Sequence, residues 1–431
     1  MSCFFTKQML YYTKVRKFVS TFKETEKMTF KKLSLMLGAA LLAAGCTAPQ
    51  VKSPVKESKT TFAAAALKPF ADSGALPGAI SILCKGNLQE TACVGYADPA
   101  KKRPIALNST YMQCSQTKGF CGVTIAILVE EGKLSLDDPV SKYLPEFKNL
   151  KVAVKGKEGK VKTVPAKNTL TVRMVMNHTG GFPFEIPTKS KKGWNRLSLR
   201  ETAREAAAQP LRFEPGTRAL YSNTGIDIGA AVIEVVTGKK WEVFLKERVL
   251  GPLGMKDTTF KPTEEQLKRS IVLHTLAKNK KPQFRAFNRW MPLPHNGPAV
   301  HPSAGAGLWT TAADQVKFYR MLMNLGKGDN GVRILKEETV KKYLATSTRP
   351  AKLGNYSLGL TANFKAGTMG HGGAWGTRCS VNWRKKQLQL WVVQLNGNPR
   401  PWNKAWGKAV NEFFAARIKD SETDAYTGRM K

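Results

Sequence analysis

Two rhythms alternate along the chain. Near both ends apolar residues come in short runs bounded by turn residues, whereas in the middle they recur every three or four positions. Residues 78–84 and 91–96 are apolar segments on either side of Lys85-Gly86-Asn87, the pattern of a β-hairpin. Residues 368–375, 378–383 and 388–395, separated by Gly or Lys turns, read as an antiparallel meander near the other end. Between them the period changes. Apolar positions 226, 229/230, 233 and 236, followed by Gly238 as a stop, predict a helix. Further helices are expected over 62–71, 198–209, 241–249, 312–325 and 403–418, with short ones over 171–177 and after 134–144. The stretch 151–168 reads as an exposed hairpin or loop, and 261–300 is polar and punctuated by proline. The run Val123-Thr124-Ile125-Ala126-Ile127-Leu128-Val129 is apolar enough for a buried helix, and Gly132 can cap its end. These elements imply an α+β fold: an antiparallel sheet assembled from both chain ends and flanked by helices, with an all-helical lobe inserted. A cleft between two such lobes is a usual place for a site.

Charge narrows the range of partners. Against 31 Asp+Glu stand 69 Lys+Arg, a formal net charge of +38, which favours anionic partners. Nothing focuses that field on nucleic acid: there is no zinc-finger spacing, no aromatic-interleaved RNA signature and no defensible helix-turn-helix. The lysines are scattered, thickening at 151–167, 189–192 and 278–281, as on a solvated surface; an acidic cell-surface polymer remains an open partner.

The beginning of the chain carries an address. Met28-Thr29-Phe30-Lys31-Lys32 is a short positive region, and 33–44 is an apolar run of signal-peptide length, too short to span a membrane. Ala43-Ala44-Gly45-Cys46 closes it and resembles a bacterial lipobox, with Ala43 where leucine is usual. The expectation is translation from Met28, removal of residues 1–45 and lipidation of Cys46. A tether over 46–61, a domain over 62–418 and a flexible tail over 419–431 would follow. The protein is then exported to the periplasm or cell surface and held on the membrane by lipid. Five cysteines remain (84, 93, 114, 121 and 379), an odd number with no C-x-x-C spacing. The histidines lack H-E-x-x-H spacing, so no metal or cofactor is expected.

Three short motifs carry chemistry. Ser115 and Lys118 stand three apart at the expected start of the buried helix, so they share a face. A desolvated lysine can be neutral enough to take the proton of a serine hydroxyl and make it a nucleophile. Taken alone, the pair also fits a capping serine beside a solvated lysine. Tyr221-Ser222-Asn223 follows a Pro-Gly turn, and a tyrosine near a cationic lysine can share its phenolic proton. Asn223 offers an amide to a substrate. Gly370-His371-Gly372-Gly373-Ala374 is too glycine-rich for a comfortable strand, which suggests that another backbone or a substrate approaches closely.

Together these motifs resemble the penicillin-recognising serine hydrolases: class C β-lactamases, serine DD-carboxypeptidases, D-aminopeptidases and β-lactamase-like esterases. Four further stretches share the likeness: Glu130–Pro139, Asn177-His178-Thr179-Gly180-Gly181, Glu214-Pro215-Gly216-Thr217 and Gly251-Pro252-Leu253-Gly254-Met255. The resemblance implies Ser115 as the acylated nucleophile, Lys118 as its proton partner and Tyr221 as second base and leaving-group acid. It further implies Asn223, His371 and Gly373 as substrate-binding residues, with the N–H groups of Ser115 and Ala374 as the oxyanion hole. His371 stands where class C β-lactamases carry lysine, which points to the esterase and peptidase branches and to a weaker, pH-dependent hold on anionic substrates. Gly180 replaces a serine of many relatives, a matter of loop packing. G-x-S-x-G and the phosphate-loop pattern are both absent. The rival from another class is a non-catalytic binding lipoprotein on the same fold.

Overall fold

In the computed structural model, the described residues are 55–58, 61–156, 160–188, 196–276, 282–284, 301–396 and 400–416. The expected leader, Cys46, most of the tether, the lysines of 189–192 and 278–281 and the 419–431 tail lie outside them. All the described residues belong to one compact unit, Ser53–Lys431.

One eight-stranded sheet joins the two chain ends. Its main path runs Lys56–Glu57, Leu88–Asp98, Gly78–Lys85, Gln387–Val392, Arg378–Asn382, Thr368–Gly372 and Thr361–Asn363, while Arg103–Pro104 pairs with Leu88–Asp98. The expected hairpin and meander therefore meet, Gly78–Lys85 pairing antiparallel with Gln387–Val392 so that Ile82 faces Leu390. Three strands of this sheet were not expected, the two-residue Arg103–Pro104 among them. Lys56–Glu57, assigned to the tether, adds in parallel at the edge: Lys56 N donates to Asn87 O at 2.9 Å and Ser58 N to Gln89 O at 2.6 Å. Thr361–Asn363 is too short for a period to show.

Alternation along the strands gives the sheet two apolar faces. Leu83, Ala79, Trp391 and Val393 pack with the Phe62–Asp72 and Trp402–Ala415 helices, where Trp406 Nε1 donates to Ser81 Oγ at 2.9 Å. Ile80, Ile82, Leu388 and Leu390 face the opposite core, built on the Thr117–Glu130 and Ala312–Met323 helices. Every residue from Thr117 to Leu128 is buried, as the all-round apolar run predicts. At Gly122 an added Cβ would lie 1.8 Å from Leu358 O, so the 358–360 segment presses directly on this helix. The middle of the chain is mostly helical but not all-helical. Lys151–Lys155 and Val161–Pro165 form a hairpin, and Thr110–Met112 pairs with Trp309–Thr311. The first is the hairpin read over 151–168; the second pairs runs of three residues, too few alternations to stand out beside helical periods.

Candidate active site

Ser115 lies where a strand gives way to the central helix. Cys114 just before it adopts φ +50°, and three hydrogen bonds pin the bend. Thr117 Oγ1 donates to Cys114 O at 2.7 Å, Leu308 N donates to Thr117 Oγ1 at 3.2 Å, and Gln113 N donates to Leu308 O at 3.1 Å. One turn on, Lys118 is fully buried. Its Nζ donates to Asn223 Oδ1 and to Gly305 O, both at 2.6 Å, and stands 3.2 Å from Ser115 Oγ. A neutral amine has two hydrogens and one lone pair. Two carbonyl oxygens take the hydrogens, so the lone pair is left for the Ser115 hydroxyl. Burial pulls the Lys118 pKa from 10.5 down to about 7, against the opposing charge of Asp227 in first place.

Tyr221 is fixed by the start of the next helix, Asn223–Thr237. Ser222 caps it, accepting from Gly225 N at 3.0 Å while its hydroxyl donates to Pro183 O at 2.6 Å. The Tyr221 ring packs against His178 at 4.5 Å and Phe184 at 6.1 Å, with Lys118 Nζ 4.5 Å above it. Ser115 beside it favours the ionised phenol, but burial, the larger effect, lifts its pKa to about 12. The expectation that the lysine would ease the phenol toward ionisation is corrected: burial raises its pKa, and Lys118 is not among the groups that lower it. Tyr221 keeps its proton in the resting site.

The glycine-rich strand end serves close approach. A Cβ on Gly373 would lie 2.6 Å from Gln113 O and 2.1 Å from Thr377 Oγ1, so only glycine lets this strand reach the backbone ahead of Ser115. The N–H groups of Ala374 and Trp375 consequently reach Cys114, whose thiol burial nevertheless pushes up to about 12. Among the described residues no backbone carbonyl takes the N–H of Ser115 or of Ala374. His371 differs from expectation. Its Nδ1 donates to Gly372 O at 2.6 Å, which leaves Nε2 as an acceptor for Tyr356 OH at 2.9 Å, with Tyr221 OH at 3.4 Å. Burial, then the charge of Lys118, lowers its pKa to about 4. It is a neutral acceptor, not a donor to substrate, and it does not titrate near neutrality.

Three contributors escaped the sequence. His178 was visible within Asn177–Gly181 but had no role. It holds φ +66°, accepts from Ser222 N at Nδ1 (3.3 Å) and lies between the rings of Tyr221 and Tyr356, 4.5 and 4.6 Å away. Tyr356 and the Gly305 carbonyl had no signal, since one is an isolated aromatic and the other a backbone atom. Gly180 behaves as expected of loop packing: a Cβ there would meet Leu170 and Phe182 at 3.1 Å. All five described cysteines are unpaired.

Residues 63–407 match the family model described as Beta-lactamase. Protein Rv1367c of Mycobacterium tuberculosis (strain ATCC 25618 / H37Rv) is 30% identical over 284 residues, covering 64% of this chain and 69% of that protein. A protein of Escherichia coli strain K12, provisionally named a D-alanyl-D-alanine carboxypeptidase, is 28% identical over 313 residues, 67% of this chain and 69% of its own. Among solved structures, EstCE1, a hydrolase with promiscuous acyltransferase activity, superposes with a TM-score of 0.66 at 20% identity, covering 81% of this chain and 97% of that one.

Proposed function

The chain belongs to the beta-lactamase family of serine hydrolases, and from that premise we propose that it cleaves esters through an acyl-enzyme on Ser115. The observation that carries the reading is the Lys118 amine, desolvated, committed through its two hydrogens to Asn223 and Gly305, and facing Ser115 Oγ at 3.2 Å. Ser115 Oγ attacks the substrate carbonyl carbon while its proton passes to Lys118 Nζ. The Ser115 and Ala374 N–H groups hold the resulting oxyanion. As the intermediate collapses, the alcohol leaves with a proton delivered through Tyr221, which the Lys118 ammonium replenishes. Water then releases the acid from Ser115 by the same steps in reverse.

Ester over β-lactam is supported by His371, a neutral ring whose Nε2 already accepts from Tyr356, at the position where a lysine would offer a carboxylate fixed charge. The apolar rim agrees: Phe184 is 48% exposed and Leu220 39%, a surface suited to an uncharged acyl or alcohol group. Carboxypeptidase action is the second reading, favoured by the likeness to the Escherichia coli relative. Steady-state rates on short-chain p-nitrophenyl esters, nitrocefin and a D-Ala-D-Ala peptide test the order. Nitrocefin turnover with negligible ester cleavage would overturn it, and the absence of any burst or turnover would favour a binding protein. Export and anchoring through Cys46 are part of the proposal, resting on the 33–46 pattern.

A further inference from the structure

Behind Lys118 lies a buried ionisable pair that the steps above leave unused. Asp227 is one turn beyond Asn223 on the same helix, and both Asp227 and His301 are buried. Asp227 Oδ1 accepts from Gly305 N at 3.0 Å and from Ser303 Oγ at 3.3 Å, and Oδ2 stands 3.3 Å from His301 Nε2. The other ring nitrogen, Nδ1, stands 3.0 Å from Leu197 O. A backbone carbonyl only accepts, so Nδ1 carries a hydrogen. Nε2 faces the Asp227 carboxylate, a contact that is a hydrogen bond when the ring carries a proton there. Gly305 joins the pair to the site, its N–H bound to Asp227 and its carbonyl bound to Lys118 Nζ at 2.6 Å.

We propose that Asp227 and His301 are a positioning pair that sets the proton affinity of Lys118, aligning it through the Gly305 peptide and tuning it by the pair's charge. The proposal rests on the reading of Lys118 as the base for Ser115. Other groups also face this lysine: Glu185, whose Oε1 accepts from Asn223 Nδ2 at 3.3 Å, the thiols of Cys114 and Cys121, and the rings of Tyr221, His178 and His371. Asp227 acts in turn on Glu185 and Cys121, and His301 on Glu185. Among the charges acting on Lys118 that of Asp227 is the largest, and it opposes the effect of burial. The two members of the pair must therefore act in opposite senses. Asp227→Asn removes the anion and makes the ammonium harder to hold, lowering the pKa of Lys118. His301→Gln leaves the carboxylate with its full charge and raises it.

The test is direct titration of the full chain carrying ε-¹³C-lysine, the Lys118 resonance being identified by its loss in Lys118→Arg. The expected result is a midpoint about one unit lower in Asp227→Asn and about half a unit higher in His301→Gln. Ser303→Ala, which removes a hydrogen bond to Asp227 without changing charge, should move the midpoint by less than about 0.3 units. Midpoints that stay put, or that move the same way in both charge variants, overturn the proposal. Acylation of Ser115 by a p-nitrophenyl ester, followed by mass in the same samples, separates the two layers. Opposite shifts without acylation of the unmodified chain leave the pair standing and sink the base reading. Acylation with unmoved Lys118 midpoints does the reverse.

Discussion

Replacing Lys118 by Arg would keep the positive charge and remove the base. Arginine is always protonated at accessible pH and has no lone pair to offer Ser115. The size of the effect follows from the lysine's environment. A fall from 10.5 to about 7 is worth on the order of 5 kcal/mol. At pH 7.5 it turns a neutral fraction of about 0.1% into roughly three-quarters, close to 10³-fold more base. Lys118→Arg should therefore lower kcat/KM for a p-nitrophenyl ester by about 10³, within the range of general-base catalysis. The unmodified enzyme supplies the companion measurement. The active form is the neutral amine, gained as pH rises, so kcat/KM should climb tenfold per pH unit below about 7 and level off above it. His371, with its pKa near 4, should add no second step between pH 5 and 8. An Arg variant keeping more than about a tenth of the activity would refute the reasoning, as would an acid limb centred above about pH 9.

Other perturbations probe separate parts of the account. Tyr221→Phe removes the hydroxyl beside Ser115 and should reduce kcat by about 10²–10⁴ with little change in KM; a change in KM alone would deny it a proton-transfer role. Gly122→Ala sets a Cβ 1.8 Å from Leu358 O, a backbone clash expected to cost about 3 kcal/mol or more and visible as a drop of several degrees in Tm. An unchanged Tm would mean that the 358–360 segment does not press on the helix. Cys46→Ser should move the protein from the membrane to the soluble fraction with its signal uncleaved by lipoprotein processing. Retention on the membrane with an unchanged N-terminus would contradict lipid anchoring.

Legibility followed chain locality. The Gly78–Lys85 hairpin, the 368–395 meander and the buried Thr117–Glu130 helix are each set by neighbours within one element, so their periods read directly. The Ser115–Lys118 contact needs only one helical turn, and the sequence placed it. What it missed depends on distant segments. The Gly305 carbonyl reaches Lys118 from 187 residues away, and Tyr356 meets His371 across a loop and a short strand. The protonation states were also out of reach, because they turn on burial. Desolvation made Lys118 a base, kept Tyr221 a phenol and held His371 neutral, whereas the motif alone suggested an ionisable tyrosine and a histidine with a pH-dependent hold on substrate. Lys56–Glu57 shows the converse: polar residues that no pattern favours as a strand still pair where a sheet edge stands open.

The central claim is that Ser115 is the nucleophile, and covalent labelling tests it most directly. The full chain is treated with a fluorophosphonate at about pH 8, where Lys118 is mostly neutral, and the product is digested and mapped by mass. A single adduct on the peptide containing Ser115, absent from Ser115→Ala, is the expected result. An adduct on another residue, or one that persists in Ser115→Ala, would contradict it.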